Sequence, residues 1–192
     1  MKQTKMGIRD WVLNALVAAI YIVLSLGPAS LNLASGAIQF RLSESLNHLV
    51  AFDRRYLIGV VSGVVIFNAI FSPLGWLDVV FGGGQSLIGL LLVAWLAPKL
   101  KQLWQRFALN IAVMTLTMAL IAVEIIWTSH LKFATMFLPT YGSLMLSEFI
   151  VMTLSAPVML ALDRIVHFRT AMAQKVGLAP KFFRDTGFIW NL

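Results

Sequence analysis

The stretch WVLNALVAAIYIVLSL, residues 11–26, follows Lys2, Lys5 and Arg9 and is closed by Gly27-Pro28. A basic start before an apolar run also describes a secretory signal. This run is longer than a usual signal core, and no small-x-small cleavage site follows it. It therefore reads as a retained first membrane span, and that reading sets the terms for the rest of the chain. The 192 residues are 59% hydrophobic and 12% charged, with a mean hydropathy of +0.85. A soluble domain averages about 25% charged residues. A soluble core of this length would leave large apolar patches in water. The composition excludes an ordinary soluble domain, a disordered tail, a disulfide scaffold and a nucleic-acid-binding module. Cysteine is absent, which removes disulfides, thiolate metal sites and a cysteine nucleophile.

At about 20 residues per span, the length accommodates six helices. The expected spans are Trp11–Leu26, a short second pass from Leu42 to Phe52, Tyr56–Phe71, Ser86–Ala97, Phe107–Thr128 and Tyr141–Val166. Pro157 is a candidate kink in the last. Loops are expected over residues 29–45, 77–85 and 129–140, where polar residues, glycines and a proline collect. The fold class is an all-α integral membrane bundle. Residues 1–166 form its membrane domain and residues 167–192 a basic cytoplasmic tail.

Charge sets the orientation. With the N-terminus inside, 13 of the 15 lysines and arginines fall on inner flanks, and Arg41 and Lys132 alone face outward. The positive-inside rule then places both termini in the cytoplasm and the three loops outside. The net charge of +7 is thus a topology signal rather than a ligand site.

Four acids lie in inner flanks: Asp10, Asp53, Asp163 and Asp185. The other four, Glu44, Asp78, Glu124 and Glu148, fall in the outer half. Glu124 and Glu148 sit inside apolar helices, where an ionised group costs about 2.5–3.5 kcal/mol on insertion scales. Each must face a cavity or a partner. Trp127 follows Glu124 at i+3, and Tyr141, Met145, Glu148 and Met152 share one helical face. A packing stripe with Glu148 bonded to a neighbouring helix is the plainer alternative. The first loop adds Gln39, Phe40, Arg41 and Ser43. Arg41 and Glu44 either pair with each other or point into a pocket. The second adds Trp76, Asp78 and Gln85, and Asn68 is a further polar candidate within a span. Trp76 and Trp127 also suit interfacial anchors. Together these residues suggest a pocket for a planar, hydrogen-bonding small molecule, neutral or cationic, because carboxylates accept from N–H donors and rings stack on flat heterocycles. His48, His130 and His167 lack metal-ligand spacing, and no catalytic constellation is visible. On the first span, Ala15 and Ala19 form a small-xxx-small pair that lets another helix approach, from within the bundle or from a partner.

Two segments, GAIQFRLSESLNHL (residues 36–49) and FSPLGWLDVVFGG (residues 71–83), resemble the queuosine-precursor transporter (QueT) family, a group of substrate-binding S components of energy-coupling factor (ECF) transporters. The resemblance covers residues 10–166 and departs from the family pattern at Ser45, where alanine is expected. It implies a six-helix S component in the bacterial cell membrane that captures a queuosine precursor from outside: preQ1, preQ0 or queuine. It implies docking, through Ala15 and Ala19, on a membrane coupling protein with two ATPases. This chain would then hydrolyse nothing and carry no cofactor, since ATP is used by the partners. Glu148, Glu124, Asp78 and Glu44 become candidates for the base edge and for the cationic aminomethyl group. Trp127, Trp76 and Phe40 are candidates to stack, Arg41 to donate, and Gln85 and Asn68 to complete the polar lining. An S component for another vitamin, a stand-alone proton-coupled carrier using Glu124 and Glu148, and a structural membrane protein without a ligand remain the alternatives.

Overall fold

The structure is a computed structural model that describes residues 6–30 and 41–173. Phe40 and the tail beyond Ala173 lie outside the described residues. Those described form helices and turns, with no strand among them. The elements are α1 (Ile8–Ser30), a 3-10 segment (Leu42–Asn47) running into α2 (His48–Phe52), a 3-10 turn (Arg54–Tyr56), α3 (Leu57–Phe71), α4 (Trp76–Leu96), α5 (Leu103–Thr117), α6 (Ala119–Thr128), α7 (Phe133–Val166) and α8 (Phe168–Ala173). A short 3-10 turn, Ala97–Lys99, follows α4.

Five stretches are long and apolar enough to cross a membrane: Ile8–Gly27, Arg54–Phe71, Trp76–Lys99, Leu103–Thr128 and Phe133–Val166. The expected second pass is the compact run Leu42–Phe52, a 3-10 segment and a five-residue helix and not one of the helices of spanning length. Ser25 donates to Ser43 at 2.8 Å, Tyr21 to Glu44 at 3.0 Å, and Arg55 pairs with Asp10 at 3.5 Å. The run thus descends antiparallel to α1 over most of its height, from the level of Ser25 to that of Asp10. It does so in the interior: Ser43, Glu44 and residues 46–52 are all buried. That burial explains how a stretch too polar for a lipid-facing helix can pass there. At its lower end Arg55 clasps Asp53 through Nε (3.1 Å) and Nη2 (2.8 Å), and Asp53 also caps the Arg55 amide at 2.9 Å.

Between membrane helices the lipid is as apolar as a leucine side chain, so close packing and hydrogen bonds must do the associating. The α1–α3 contact shows both. Gly59 and Gly63 form a GxxxG face on α3. A Cβ on Gly59 would lie 2.7 Å from the Asn14 carbonyl oxygen, and one on Gly63 2.6 Å from Tyr21 Cβ. The Gly59 amide donates to Asn14 Oδ1 at 2.6 Å, while Asn14 Nδ2 donates to Asp10 O at 2.7 Å. His48 ties the interior run to its neighbours. Its ring stacks on Phe107 at 4.4 Å, its Nε2 meets Met152 O at 2.9 Å, and its Nδ1 meets Asn110 Nδ2 at 3.2 Å.

Three expectations need correction. Residues 77–85 are not a loop but the first half of α4. Glycines read as a turn are instead small residues at a helix contact: a Cβ on Gly82 would sit 2.6 Å from Asn68 Nδ2, and one on Gly83 3.1 Å from Val65 Cγ2. The turn before α4 is confined to Ser72–Gly75, where Gly75 takes φ +58°, a backbone state glycine reaches freely. The third loop shrinks to 129–132, because α7 starts at Phe133 and carries Pro139 and Pro157 within it. The fifth span is two helices that meet at Met118. There Thr117 bonds Met114 O at 2.9 Å, the back-bonding that bends helices.

At the lower end α8 folds back onto the bundle, with Phe168 tilted against Phe52 and Met172 fully enclosed. Outside the interior run, α1, α7 and α8 border a lateral apolar groove of about 800 Å³, lined by Leu13, Leu16, Leu49, Leu154, Val158 and Phe168 among others.

Candidate binding site

The half of the bundle opposite the Arg55–Asp10 contact gathers charge from four elements. Glu44 comes from the interior run and is 1% exposed. Tyr21 Oη donates to its Oε1 at 3.0 Å and Asn47 Nδ2 to its Oε2 at 2.5 Å, so both of its oxygens are engaged. Glu148 on α7 is 3% exposed, and its Oε1 has no hydrogen-bond partner. The charges acting on it are those of Glu44 and Arg41. Glu124 on α6 is 2% exposed, also with Oε1 unpartnered. The charges acting on it are those of Asp78 and Arg41. Arg41 stands at the entry to the interior run, its carbonyl accepting from the Glu44 amide at 3.0 Å. Arg41 is therefore the cation common to the two halves of the cluster.

Asp78 is placed by the packing just described. It lies in the first turn of α4, where the helix dipole favours a carboxylate. Its carbonyl accepts from Asn68 Nδ2 at 2.8 Å, which ties the start of α4 to the end of α3. Asn68 thus acts through Asp78's backbone. Gln85 is buried, but its amide is spent inside the bundle, donating to Thr117 Oγ1 at 2.9 Å and accepting from Ser86 at 3.1 Å. The tryptophans lie at the surface. Trp76 is 70% exposed, and Trp127 is 60% exposed with its ring edge-on to Phe81 at 5.9 Å. Their rings lie where interfacial anchors lie. Phe40 is outside the described residues.

The residues that sequence reasoning missed are Tyr21, Asn47 and Ser25, the partner of Ser43. A signal for them existed. Asn14, Tyr21 and Ser25 recur at i, i+7 and i+11 around Ala18, a polar stripe on one face of an otherwise apolar helix. The Ala15–Ala19 pair lies on a different face. Both alanines are exposed, beside the exposed Trp11, Val12, Leu16 and Ile20, while Ala18 is the small residue that packs against Gly63.

The arrangement has a definite chemical capacity. The half-buried Arg41 guanidinium is an obligate donor, the two unpartnered carboxyl oxygens of Glu148 and Glu124 are acceptors, and N–H donors of a ligand would satisfy those two oxygens. Among the described residues, no group of three His, Asp or Glu side chains is placed to hold a metal ion.

Comparison with known proteins gives the chain its relatives. The family model described as QueT transporter matches residues 11–164. A protein of Lactococcus lactis subsp. cremoris (strain MG1363), described as queuosine precursor transporter QueT, is 34% identical over 157 residues, covering 78% of this chain and 89% of the relative. No solved structure matches. With five apolar helices of spanning length and a family match over most of its residues, this multi-pass membrane protein belongs to the QueT transporter family.

Proposed function

We propose that the chain is the substrate-binding subunit of an ATP-driven uptake system of the ECF type, and that it captures a 7-deazaguanine queuosine precursor from outside the cell. The observation that carries this reading is the pair of buried, unpartnered carboxyl oxygens of Glu148 and Glu124, on both of which the Arg41 charge acts. A guanine-like edge offers adjacent N–H donors to a carboxylate and a carbonyl to a guanidinium. The similarity to a queuosine precursor transporter points to the same ligand class. Glu148 takes the base edge, Arg41 the carbonyl, and Glu44, with both oxygens engaged, serves as the fixed counter-charge of Arg41.

In this reading the interior run is a sixth pass, both termini are cytoplasmic, and the cluster opens outward. The exposed Ala15–Ala19 face of α1 meets a membrane coupling protein whose two ATPases supply the energy. This chain itself needs no cofactor. The buried Glu124 carboxyl, its Oε1 unpartnered within a span, favours a second reading, a stand-alone proton-coupled carrier.

Titration of the purified chain with preQ1, preQ0, queuine, guanine and thiamine, followed by calorimetry, tests the ligand class. Nanomolar binding of a deazaguanine is expected; binding of none of them removes that ligand class. Uptake into cells that survives an uncoupler but not loss of the ATPases separates the two energy sources.

A further inference from the structure

The lateral groove of about 800 Å³ offers an occupant no hydrogen bond. Three polar side chains line it, and each is satisfied within the chain. Ser45 donates to Leu42 O at 2.7 Å, Ser155 to Met152 O at 3.1 Å and Tyr56 to Phe168 O at 3.0 Å. The rest of the lining is apolar, and Leu154 and Val158 on α7 stand well exposed. Along α1 the groove runs from Leu13 to Leu24, eleven residues or about 16 Å of helix rise. The hydrocarbon core of a bilayer is about 30 Å thick, so this is the depth of one leaflet's acyl chains. A partner helix would have to cross the full thickness, and at the foot it would meet α8, whose Phe168 and Ala171 line the groove.

The foot is basic. Arg9 stands one turn before Leu13 on the same face of α1. Arg55, next to the groove residue Tyr56, meets Asp10, next to Arg9, at 3.5 Å. Arg164 lies between the lining residues Leu162 and Val166, and Arg169 between Phe168 and Ala171. Arg164 and Arg169 are exposed, and among the described residues neither forms an ion pair. The described acids at this end are committed: Asp10 and Asp53 to Arg55, and Asp163 Oδ1 to the Phe168 amide at 2.8 Å.

We infer that the groove is a seat for an anionic phospholipid, its acyl chains between α1 and α7 and its phosphate among the arginines at the foot. A basic pocket between membrane helices is the usual receptor for such a headgroup. The lipid belongs to the leaflet at the Arg55–Asp10 end. The inference does not depend on the deazaguanine reading.

The test uses the full chain, delipidated in detergent and then given dioleoyl phosphatidylglycerol or dioleoyl phosphatidylcholine, with bound lipid counted by native mass spectrometry. The anionic lipid should be retained in preference to the zwitterionic one. Arg164→Gln and Arg169→Gln should each cut that preference about fivefold, the effect of one basic residue at an anionic surface. Lys101→Gln, an exposed lysine ahead of α5 and outside the groove lining, should leave it unchanged. Leu154→Trp fills the groove from a position 68% exposed, and should abolish retention of both lipids while the chain stays monodisperse. Equal retention of the two lipids, a preference untouched by the arginine changes, or lipid still held by Leu154→Trp would overturn the seat. So would lipid binding that appears only after removal of residues 174–192, or a chain that dimerises as lipid is withdrawn. Those two outcomes give the groove to the tail or to a second copy of the chain.

Discussion

Tyr21 and Glu44, 23 residues apart, meet in the interior, where the phenol donates to Glu44 Oε1 at 3.0 Å. The same tyrosine is the residue against which Gly63 packs. Helix packing and the geometry of the binding cluster are thereby joined in one side chain. Tyr21→Phe should keep the packing and free one oxygen of a buried carboxylate. A hydrogen bond to a charged group is worth about 1.5–3 kcal/mol. A lower melting temperature is expected in a detergent-based thermal assay, together with weaker ligand affinity.

Glu148→Gln should weaken ligand binding at least tenfold, about 1.4 kcal/mol. The neutral amide keeps the shape and loses the charge-assisted acceptor at Oε1, the atom that has no protein partner. Calorimetry on the folded variant checks this. Affinity equal to that of the parent would remove Glu148 from the site.

Gly63→Ala should destabilise the bundle by about 1–3 kcal/mol, the usual cost of overpacking. Its Cβ would lie 2.6 Å from Tyr21 Cβ and 3.2 Å from Ala18 Cα, with neither atom at the flexible end of a side chain. Gly84→Ala is the control. Nothing lies within 4 Å of that Cβ, so the gain in helix propensity, about 0.5–1 kcal/mol, should show unopposed. Opposite shifts in melting temperature for the two variants are expected.

Ala15→Trp should leave ligand binding by the isolated chain unchanged, because Ala15 is exposed and its side of α1 is not the one that meets α3. It should block assembly with a coupling module. Co-purification with the module at parental yield would dismiss the docking role of this face.

His48→Phe should keep the stack on Phe107 and strand Asn110 Nδ2, while Met152 O keeps the Ser155 hydroxyl at 3.1 Å. Buried polar groups left unpaired cost about 1–3 kcal/mol. Reduced stability without a change in ligand selectivity is the expected result.

The apolar runs were legible because hydropathy reports on lipid contact, and α1, α3 and the later spans have it. The convergence of Glu44, Asp78, Glu124, Glu148 and Arg41 was legible because charge is expensive in a membrane and must be shared. What was hidden had a common cause. Gly82 and Gly83 belong to helix contacts, but a glycine at a contact and a glycine in a turn look alike in one sequence. Gln85 looked free for a ligand because its partner, Thr117, is 32 residues away. Tyr21 was passed over because an aromatic in an apolar helix is ordinary until its hydroxyl finds Glu44.

The interior run Leu42–Phe52 also has a consequence for parity. Because it is wrapped by protein, its residues answer to hydrogen-bond partners and not to lipid, and a hydropathy count passes over it. Such a count returns an odd number of crossings and sends the two ends of the chain to opposite faces. The Arg55–Asp10 contact brings the end of the run back beside the start of α1. A reporter fused after Ala173 should therefore fall on the same side of the membrane as one fused before Ile8. Every assignment of inside and outside from α3 onward inherits its sign from those eleven residues, nine of them buried.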